Sequence, residues 1–212
     1  MGLLRPEAPL FQQMRAVGEV QRLIDADEVR RAMPATCGIG HTRWASHGRP
    51  SVENAHPHQD CRGTVVLVHN GDIEDHLLWR TRLKTRGHTF RSETDTEVIA
   101  HLLEEARASG LDPVAAIRAA LKDLRGTYAL GIMFVDIPGT IYLTKLSGSL
   151  IIGKTPHGMF AVSDAPAMLS HTREIVRLHD HDVAVLTPAG YELFASEVGS
   201  FTSRMETLEG SA

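Results

Sequence analysis

Apolar residues at three- and four-residue spacing predict four helices in the first 125 residues of the chain. The first is predicted over residues 11–29, with some irregularity at Gly18. The second is predicted over residues 73–86, and Gly87 follows as the residue just beyond its end. Both patterns favour helices that bury one face against the rest of the fold.

The third and fourth helices carry start signals. Thr94 and Glu97 have the spacing of a capping box, which predicts that a helix opens there and carries the apolar residues that follow. Asp112 is followed by Pro113, a pair that is typical of an N-cap residue and the first helical position.

Short apolar runs predict strands. Residues 63–69 form a continuous apolar run rich in β-branched residues, which suits a strand buried on both faces, and Asn70-Gly71 is predicted to end it as a turn. Residues 35–44 are predicted to be extended. After Gly126, the pattern predicts a helical turn over 163–170 and strands over 127–135, 140–146, 150–154, 158–162, 174–178, 182–186 and 191–194. This order predicts an α+β fold with layered sheets.

The length of 212 residues suits one domain, predicted over residues 11–196, with a lead-in over 1–10 and a tail over 197–212. The net charge of −4 without a basic stripe argues against nucleic acid and anionic membranes as partners. No apolar run is long enough to span a membrane, and the first residues lack the features of a signal peptide. With only two cysteines, the composition favours the cytoplasm.

Polar groups suited to binding are concentrated in four motifs within about sixty residues. They are HTRWASHG at 41–48, NAHPH at 54–58, VVLVHNG at 65–71 and SETDTEVIAHL at 92–102. Most of them fall at predicted strand ends and turns, where binding groups usually sit on a rigid scaffold.

This set of motifs resembles the class II glutamine amidotransferase domain, and within that class the glutaminase half of glutamine–fructose-6-phosphate aminotransferase. The resemblance covers about residues 14–186. It implies the fold of the N-terminal-nucleophile hydrolases, a four-layer αββα sandwich, here expected to be incomplete at its first strand. It also implies an enzyme that hydrolyses the side-chain amide of L-glutamine to supply ammonia for glucosamine 6-phosphate synthesis, with no cofactor and no metal.

The resemblance assigns roles to seven residues. Arg43 would bind the substrate α-carboxylate through its guanidinium fork, and Asp95 would pair with the α-ammonium group. The Asn70 side chain and the Gly71 backbone N–H would form the oxyanion hole. The same pocket would be lined by Trp44, Ser46 and His47.

The family mechanism uses an N-terminal cysteine whose α-amine is the general base. The sequence begins Met1-Gly2 instead, and neither Cys37 nor Cys61 carries a free α-amine. The sugar-isomerase domain, expected as a partner domain or subunit, is also not recognisable in the chain. We therefore expect a glutaminase domain that is truncated and inactive alone. A late recorded start, a decayed gene and a non-catalytic glutamine-binding or partner-binding module are the three explanations.

Simpler interpretations remain open for single residues. Arg43 could be a surface ion-pair partner, Asp95 could serve the helix dipole, and Asn70-Gly71 could be a hairpin turn. Trp44 could pack in the core or cover the pocket.

The histidines and cysteines also have simpler interpretations. His56 and His58 are too few for a closed zinc site, and they are interpreted as loop or pocket-wall residues. Cys37 and Cys61 are interpreted as inert thiols.

Overall fold

The computed structural model describes residues 11–25, 35, 37–156 and 158–196, and the backbone of residues 205–207. Ten strands form two antiparallel sheets, one of six strands in the order β1-β2-β3-β4-β8-β9 and one of four in the order β10-β7-β5-β6. The strands are β1 (His58–Gln59), β2 (Val65–Ile73), β3 (Gly126–Phe134), β4 (Ile141–Leu146), β5 (Ile151–Thr155), β6 (Gly158–Val162), β7 (Glu174–Arg177), β8 (Val183–Thr187), β9 (Gly190–Phe194) and β10 (Met205–Thr207).

The described part of the chain forms five helices. They are α1 (Val20–Asp25), α2 (His76–Thr85), α3 (Thr96–Ala108), α4 (Pro113–Leu121) and the short α5 (Pro166–Leu169). None of the helices in the described part of the chain is long and apolar enough to cross a membrane.

Three apolar clusters define the layers. The largest lies between α2–α4 and the six-stranded sheet, and β3 contributes Leu130 and Ile132 to it. The second lies between the two sheets and includes Ile152, while its neighbour Ile151 joins a third cluster with Met168 of α5. Adjacent strand residues thus face opposite layers, as the period of two requires. The predicted α+β fold with an αββα sandwich is confirmed.

Most predicted elements after Gly87 are confirmed within two residues. Asp112 caps α4 by accepting 3.0 Å hydrogen bonds from the backbone N–H groups of Val114 and Ala115. Gly87 has a φ of +96° just beyond α2, and its conformation lets His88 N–H reach the Leu83 carbonyl at 3.1 Å.

The first predicted helix is wrong over residues 11–19. Among the described residues only Val20–Asp25 are helical, and residues 26–29 lie outside the described part. Gly18 has a φ of +107°, which interrupts a helix, and α1 has no buried residue. The apolar residues of α1 are therefore not packed against the rest of the fold, and no such packing stabilises a longer helix.

The predicted turn at Asn70-Gly71 is also wrong. Strand β2 continues through both residues to Ile73, with Asn70 opposite Ala129 and Gly71 opposite Tyr128. The ladder to β3 is unbroken here, so tertiary pairing overrides the turn preference of this dipeptide.

The predicted capping box does not form. Helix α3 begins at Thr96 after Asp95, and the Glu97 carboxylate reaches past the helix start. It accepts 2.7 Å hydrogen bonds from the backbone N–H groups of Arg91 and Ser92. Glu97 thus orders the segment before the helix rather than the helix end itself.

The predicted tail is a strand in part. Residues Met205–Thr207 pair with β7, where Glu206 lies opposite Ile175. An exposed strand edge offers unpaired backbone groups that a following segment can satisfy. The rest of residues 197–212 lies outside the described residues.

Candidate functional site

A cavity of about 250 Å³ opens where the loop of residues 40–46 meets the end of β2 and the start of α3. Its lining residues are Gly40, His41, Thr42, Arg43, Trp44, Ser46, His56, His69, Asn70, Gly71, Asp95, Thr96 and Ser163. The lining is mainly polar and combines a guanidinium, a carboxylate and a side-chain amide. Such a set of convergent polar groups is typical of a site for a small zwitterionic ligand.

Six of the seven residues singled out in the sequence surround this cavity. His47 does not line it. The His47 Nε2 atom lies 2.5 Å from Asp72 Oδ1, and its ring packs at 4.3 Å against the ring of His76. His47 therefore supports the loop from outside the cavity.

Trp44 is 93% exposed, which excludes the core-packing alternative. It lies in the loop at the cavity, where a large exposed apolar side chain is free to contact a ligand.

The Asp95 carboxylate is fixed although it is buried. Its Oδ2 atom accepts a 2.9 Å hydrogen bond from the backbone N–H of Ile73, and Thr96 Oγ1 lies 3.4 Å from Oδ1. The side chain does not cap α3, but its charge sits at the helix N-terminus, where an anion is favoured. Since Oδ1 has only a long contact to Thr96, the carboxylate keeps acceptor capacity for a cationic donor.

The Arg43 guanidinium holds its own loop. Its Nη2 group donates to the carbonyls of His47 and Gly48, and Nη1 lies 3.5 Å from the Arg49 carbonyl. A guanidinium has five N–H donors, so these contacts leave some of them for a ligand. The backbone contacts also fix the orientation of the charge at the cavity.

Four histidines at and behind the cavity are held neutral. Burial is the main cause that lowers the pKa of His41 to about 4, and the proximity of His69 and Arg43 acts in the same direction. Burial and the charge of Arg15 lower the pKa of His58 to about 4. Burial likewise lowers the pKa of His56 and of His69, although Asp95 partly opposes the shift at His69.

Two of the neutral histidines, His69 and His56, are joined by hydrogen bonds through the Thr96 hydroxyl. His69 Nε2 lies 3.2 Å from the Thr127 carbonyl, which can only accept, so this nitrogen carries the proton. His69 Nδ1 then accepts from Thr96 Oγ1 at 3.0 Å, and His56 Nε2 donates to the same hydroxyl at 3.1 Å. His56 Nδ1 remains a buried acceptor without a partner among the described residues.

Acid should destabilise the fold through these histidines. In the unfolded chain a histidine binds a proton near pH 6.5, whereas His41 and His58 stay neutral in the fold down to about pH 4. The free energy of unfolding should therefore fall as the pH drops from 6.5 to 4, by up to about 1.4 kcal/mol per pH unit for each such histidine. Urea unfolding at about pH 7 and pH 5 measures this slope.

The matched pair for this experiment is His58→Gln and His171→Gln. His171 is exposed, so its replacement should leave the pH dependence unchanged. The His58 variant should show a flatter pH dependence. An equal slope in both variants would contradict a buried, neutral His58.

Several lining residues, among them His69, Thr96 and Ser163, were not assigned a role from the sequence. His69 and Thr96 lie inside the quoted motifs, so the motif signal was present although the residues themselves were not chosen. Ser163 comes from the connection between β6 and α5, far along the chain, and no local pattern marks it.

A larger cavity of about 950 Å³ lies beside the candidate site and between the two sheets. It shares His41 and Asn70 with the smaller cavity, and its other lining residues include Cys37, Leu143 and Leu150. Its lining is mostly apolar; the charged side chains in it are Lys154 and Asp164, and it lacks the Arg43 and Asp95 pair of the smaller cavity. The smaller cavity is therefore the candidate ligand site.

Residues 41–144 match the glutamine amidotransferase domain family. The chain is 40% identical over 208 residues to a glutamine–fructose-6-phosphate aminotransferase (isomerizing) from Methanosarcina acetivorans, covering 94% of this chain and 33% of that protein. It is 48% identical over 155 residues to the enzyme of the same name from Pyrococcus horikoshii, covering 73% of this chain and 26% of that protein. The chain thus spans about a third or less of the length of these curated relatives.

A solved structure shares the fold at lower sequence identity. Glutamine phosphoribosylpyrophosphate amidotransferase from B. subtilis matches with a TM-score of 0.61 and 22% identity, over 75% of this chain and 34% of that chain. At this level of identity the likeness establishes the layered fold alone.

Proposed function

Because the chain contains a glutamine amidotransferase domain homologous to part of the glutamine–fructose-6-phosphate aminotransferases, we propose that its 250 Å³ cavity binds L-glutamine. The domain would release ammonia from the side-chain amide for the synthesis of glucosamine 6-phosphate from fructose 6-phosphate. The observation that carries this proposal is the meeting of Arg43, Asp95 and Asn70 around one small cavity.

The two charged residues complement the two charges of an α-amino acid. Arg43 binds the α-carboxylate with the N–H donors that its loop contacts leave over. Asp95 pairs with the α-ammonium group through its remaining acceptor capacity, in a buried position where a charge-assisted hydrogen bond is strong. Trp44 and Ser46 form the exposed side of the site.

The Asn70 side chain and the Gly71 backbone N–H would stabilise the oxyanion of the reaction. Both residues line the cavity from the last part of β2, which is a rigid strand rather than a loop. Attack of a thiolate on the side-chain amide carbon would give a tetrahedral oxyanion. Its collapse would break the C–N bond, release ammonia and leave a thioester, which water would then hydrolyse to glutamate and the free thiol. Removal of one donor from an oxyanion hole typically costs about 3–4 kcal/mol of transition-state stabilisation.

The attacking thiol is not among the described lining residues. Cys37 lines the larger cavity, and Cys61 lies in the turn after β1. Both cysteines are free, in keeping with a cytoplasmic domain. The described groups therefore bind and polarise glutamine, and we propose that a sugar-isomerase domain or subunit uses the ammonia.

Calorimetric titration with L-glutamine tests the site. We expect binding by the chain, and at least a ten-fold weaker Kd for Arg43→Lys, because an ammonium cannot reproduce the guanidinium contacts. Arg49→Lys is the matched control, since Arg49 is an exposed residue of the same loop. Glutamine binding that is equally strong in both variants, or no binding by the parent chain, would refute the proposal.

A glutamate-release assay separates an amidotransferase from a binding module. The chain as it stands should bind glutamine without releasing glutamate, because no sulfur lines the described cavity. Turnover that is lost in Cys37→Ala or Cys61→Ala would overturn this mechanism. A non-catalytic glutamine-binding or partner-binding module is favoured if an added sugar-isomerase partner also elicits no release.

A further inference from the structure

Four side chains of types that commonly ligate metals lie close together beside the middle of α3. Cys61 lies in the turn after β1, His88 lies between α2 and α3, and His101 and Glu104 lie one turn apart on α3. One ligand atom from each residue lies within 4.8 Å of all the others. None of these residues lines the candidate glutamine cavity.

The distances from the two histidine nitrogens to the sulfur and to the carboxylate oxygen are those of a tetrahedral site. Cys61 Sγ lies 3.5 Å from His88 Nδ1 and 3.6 Å from His101 Nδ1. Glu104 Oε2 lies 3.1 Å from the first of these nitrogens and 3.4 Å from the second. With ordinary Zn–S, Zn–N and Zn–O bond lengths, a tetrahedron places S and N about 3.5 Å apart, and N and O about 3.3 Å apart.

We propose that Cys61, His88, His101 and Glu104 bind one zinc ion. Hydrogen bonding alone accounts for contacts between Glu104 and a histidine. It does not require both Nδ1 atoms to converge on the same sulfur and the same carboxylate oxygen, whereas coordination of a single ion does. A thiolate with two imidazoles also selects zinc over magnesium or calcium, which prefer oxygen ligands.

The surroundings of these ligands support the same assignment. The outer nitrogens of both rings face carboxylates: His88 Nε2 lies 3.2 Å from Glu105 Oε1, and His101 Nε2 lies 3.6 Å from Glu97 Oε1. Carboxylates in this position orient metal-bound histidines and raise their basicity. The backbone N–H of Thr89 points to Cys61 Sγ at 3.3 Å, an arrangement that stabilises a thiolate.

The charges of the site balance. A Cys61 thiolate and a Glu104 carboxylate together neutralise Zn²⁺, while the two histidines bind as neutral rings. Neutrality is required here because His101 is fully buried and the other three ligands are partly buried. All four ligands come from the protein, so the site is of the structural type and leaves no position for a substrate.

The ion would cross-link three segments that are distant in sequence. It joins the turn after β1, the connection between α2 and α3, and α3 itself. The connection continues to Ser92, which Glu97 holds, and then to Asp95 at the glutamine cavity. Zinc would therefore stabilise the segment that positions Asp95, at a site where no chemistry takes place.

Metal analysis and cobalt substitution test this proposal on the full chain without an affinity tag. The parent protein and Cys37→Ser should each contain about one equivalent of zinc after purification, and Cys61→Ser should have lost it. With Co²⁺ the first two proteins should show a thiolate charge-transfer band and tetrahedral d–d bands, and Cys61→Ser should show no thiolate band. Cys37 is the matched control because it is the other cysteine of the chain.

Thiol labelling of the parent protein gives a second measurement that does not depend on folding of a variant. In the presence of Zn²⁺ alkylation of Cys61 should slow at least ten-fold, alkylation of Cys37 should be unchanged, and a chelator should reverse the protection. Equal labelling rates with and without zinc would overturn the proposal. So would a zinc content or a cobalt spectrum that is the same in Cys61→Ser and Cys37→Ser.

Discussion

Gly71→Ala is expected to cost more than about 4 kcal/mol of folding free energy, a large fraction of the stability of an ordinary domain. A Cβ atom at this position would lie 2.2 Å from the Thr127 carbonyl oxygen and 2.7 Å from His69 Nε2. The first contact is to backbone, so relief requires β2 and β3 to separate. The φ of Gly71 is +149°, which alanine rarely adopts. Urea unfolding followed by circular dichroism measures the loss.

Two other glycine-to-alanine variants separate strain from collision. Gly38→Ala should be close to neutral, because a Cβ there meets nothing within 4 Å and φ is not positive. Gly87→Ala should cost about 1–2 kcal/mol, because its φ is +96° although the space is open. If Gly71→Ala costs no more than Gly87→Ala, the close approach of β2 and β3 is wrong.

Each strand has a glycine that lies against the backbone of the other strand. Gly126 lies opposite Ile73 at the same end of the β2–β3 pair. A Cβ on Gly126 would lie 2.0 Å from the carbonyl oxygen of Asp72. Glycine on both strands lets the two backbones approach each other next to Asn70 and Gly71. The close approach therefore fixes the position of the backbone that lines the candidate site.

Glu97→Gln is expected to cost about 3 kcal/mol of folding free energy. The carboxylate accepts 2.7 Å hydrogen bonds from Arg91 N–H and Ser92 N–H, and a 2.6 Å bond from Ser92 Oγ. A glutamine has one acceptor oxygen and would turn its NH₂ group toward one of the two backbone donors, leaving that N–H group unsatisfied. Equilibrium unfolding in urea near pH 7 measures the difference.

Glu74→Gln is the matched control, because Glu74 is exposed and the same chemical change should alter stability by less than about 0.5 kcal/mol. Burial by itself would raise the pKa of Glu97, but the nearby His101 ring and the hydrogen bonds from Ser92 and Arg91 lower it to about 2. A lowered carboxyl pKa stabilises the fold above pH 4.5, and this contribution is lost as the pH falls from 4.5 to 2. Equal pH dependence of the Glu97 and Glu74 variants and the parent between these values would contradict the assigned hydrogen bonds.

Much of the fold and of the candidate site follows from local sequence signals. Short apolar runs separated by Gly or Pro turns specified the strands from β3 to β9 to within two residues, and Asp112-Pro113 specified the start of α4. These signals depend on short-range geometry, which neighbouring residues fix among themselves. The motifs around Arg43, Asn70 and Asp95 likewise pointed to residues that the fold brings to one cavity.

Other features depend on partners that are distant in sequence. Asn70-Gly71 has the composition of a turn, but pairing with β3 keeps it in a strand. Glu97 has the spacing of a capping residue, but the N–H groups of Arg91 and Ser92 compete successfully for its carboxylate. In both cases a tertiary contact supplies more hydrogen bonds than the local structure that was predicted.

The proposed zinc ligands show most clearly the difference between what local sequence and what tertiary contacts determine. The sequence by itself determined the layered fold, its strands and the amidotransferase motifs, because these are encoded in local periodicity and short contiguous segments. Cys61, His88 and the pair on α3 have no spacing that marks a metal site, and His47 has no signal that places it outside the cavity. Only the tertiary structure decided these positions, because they depend on how the turn after β1 and the segment after α2 pack against α3, a contact between residues far apart in the chain.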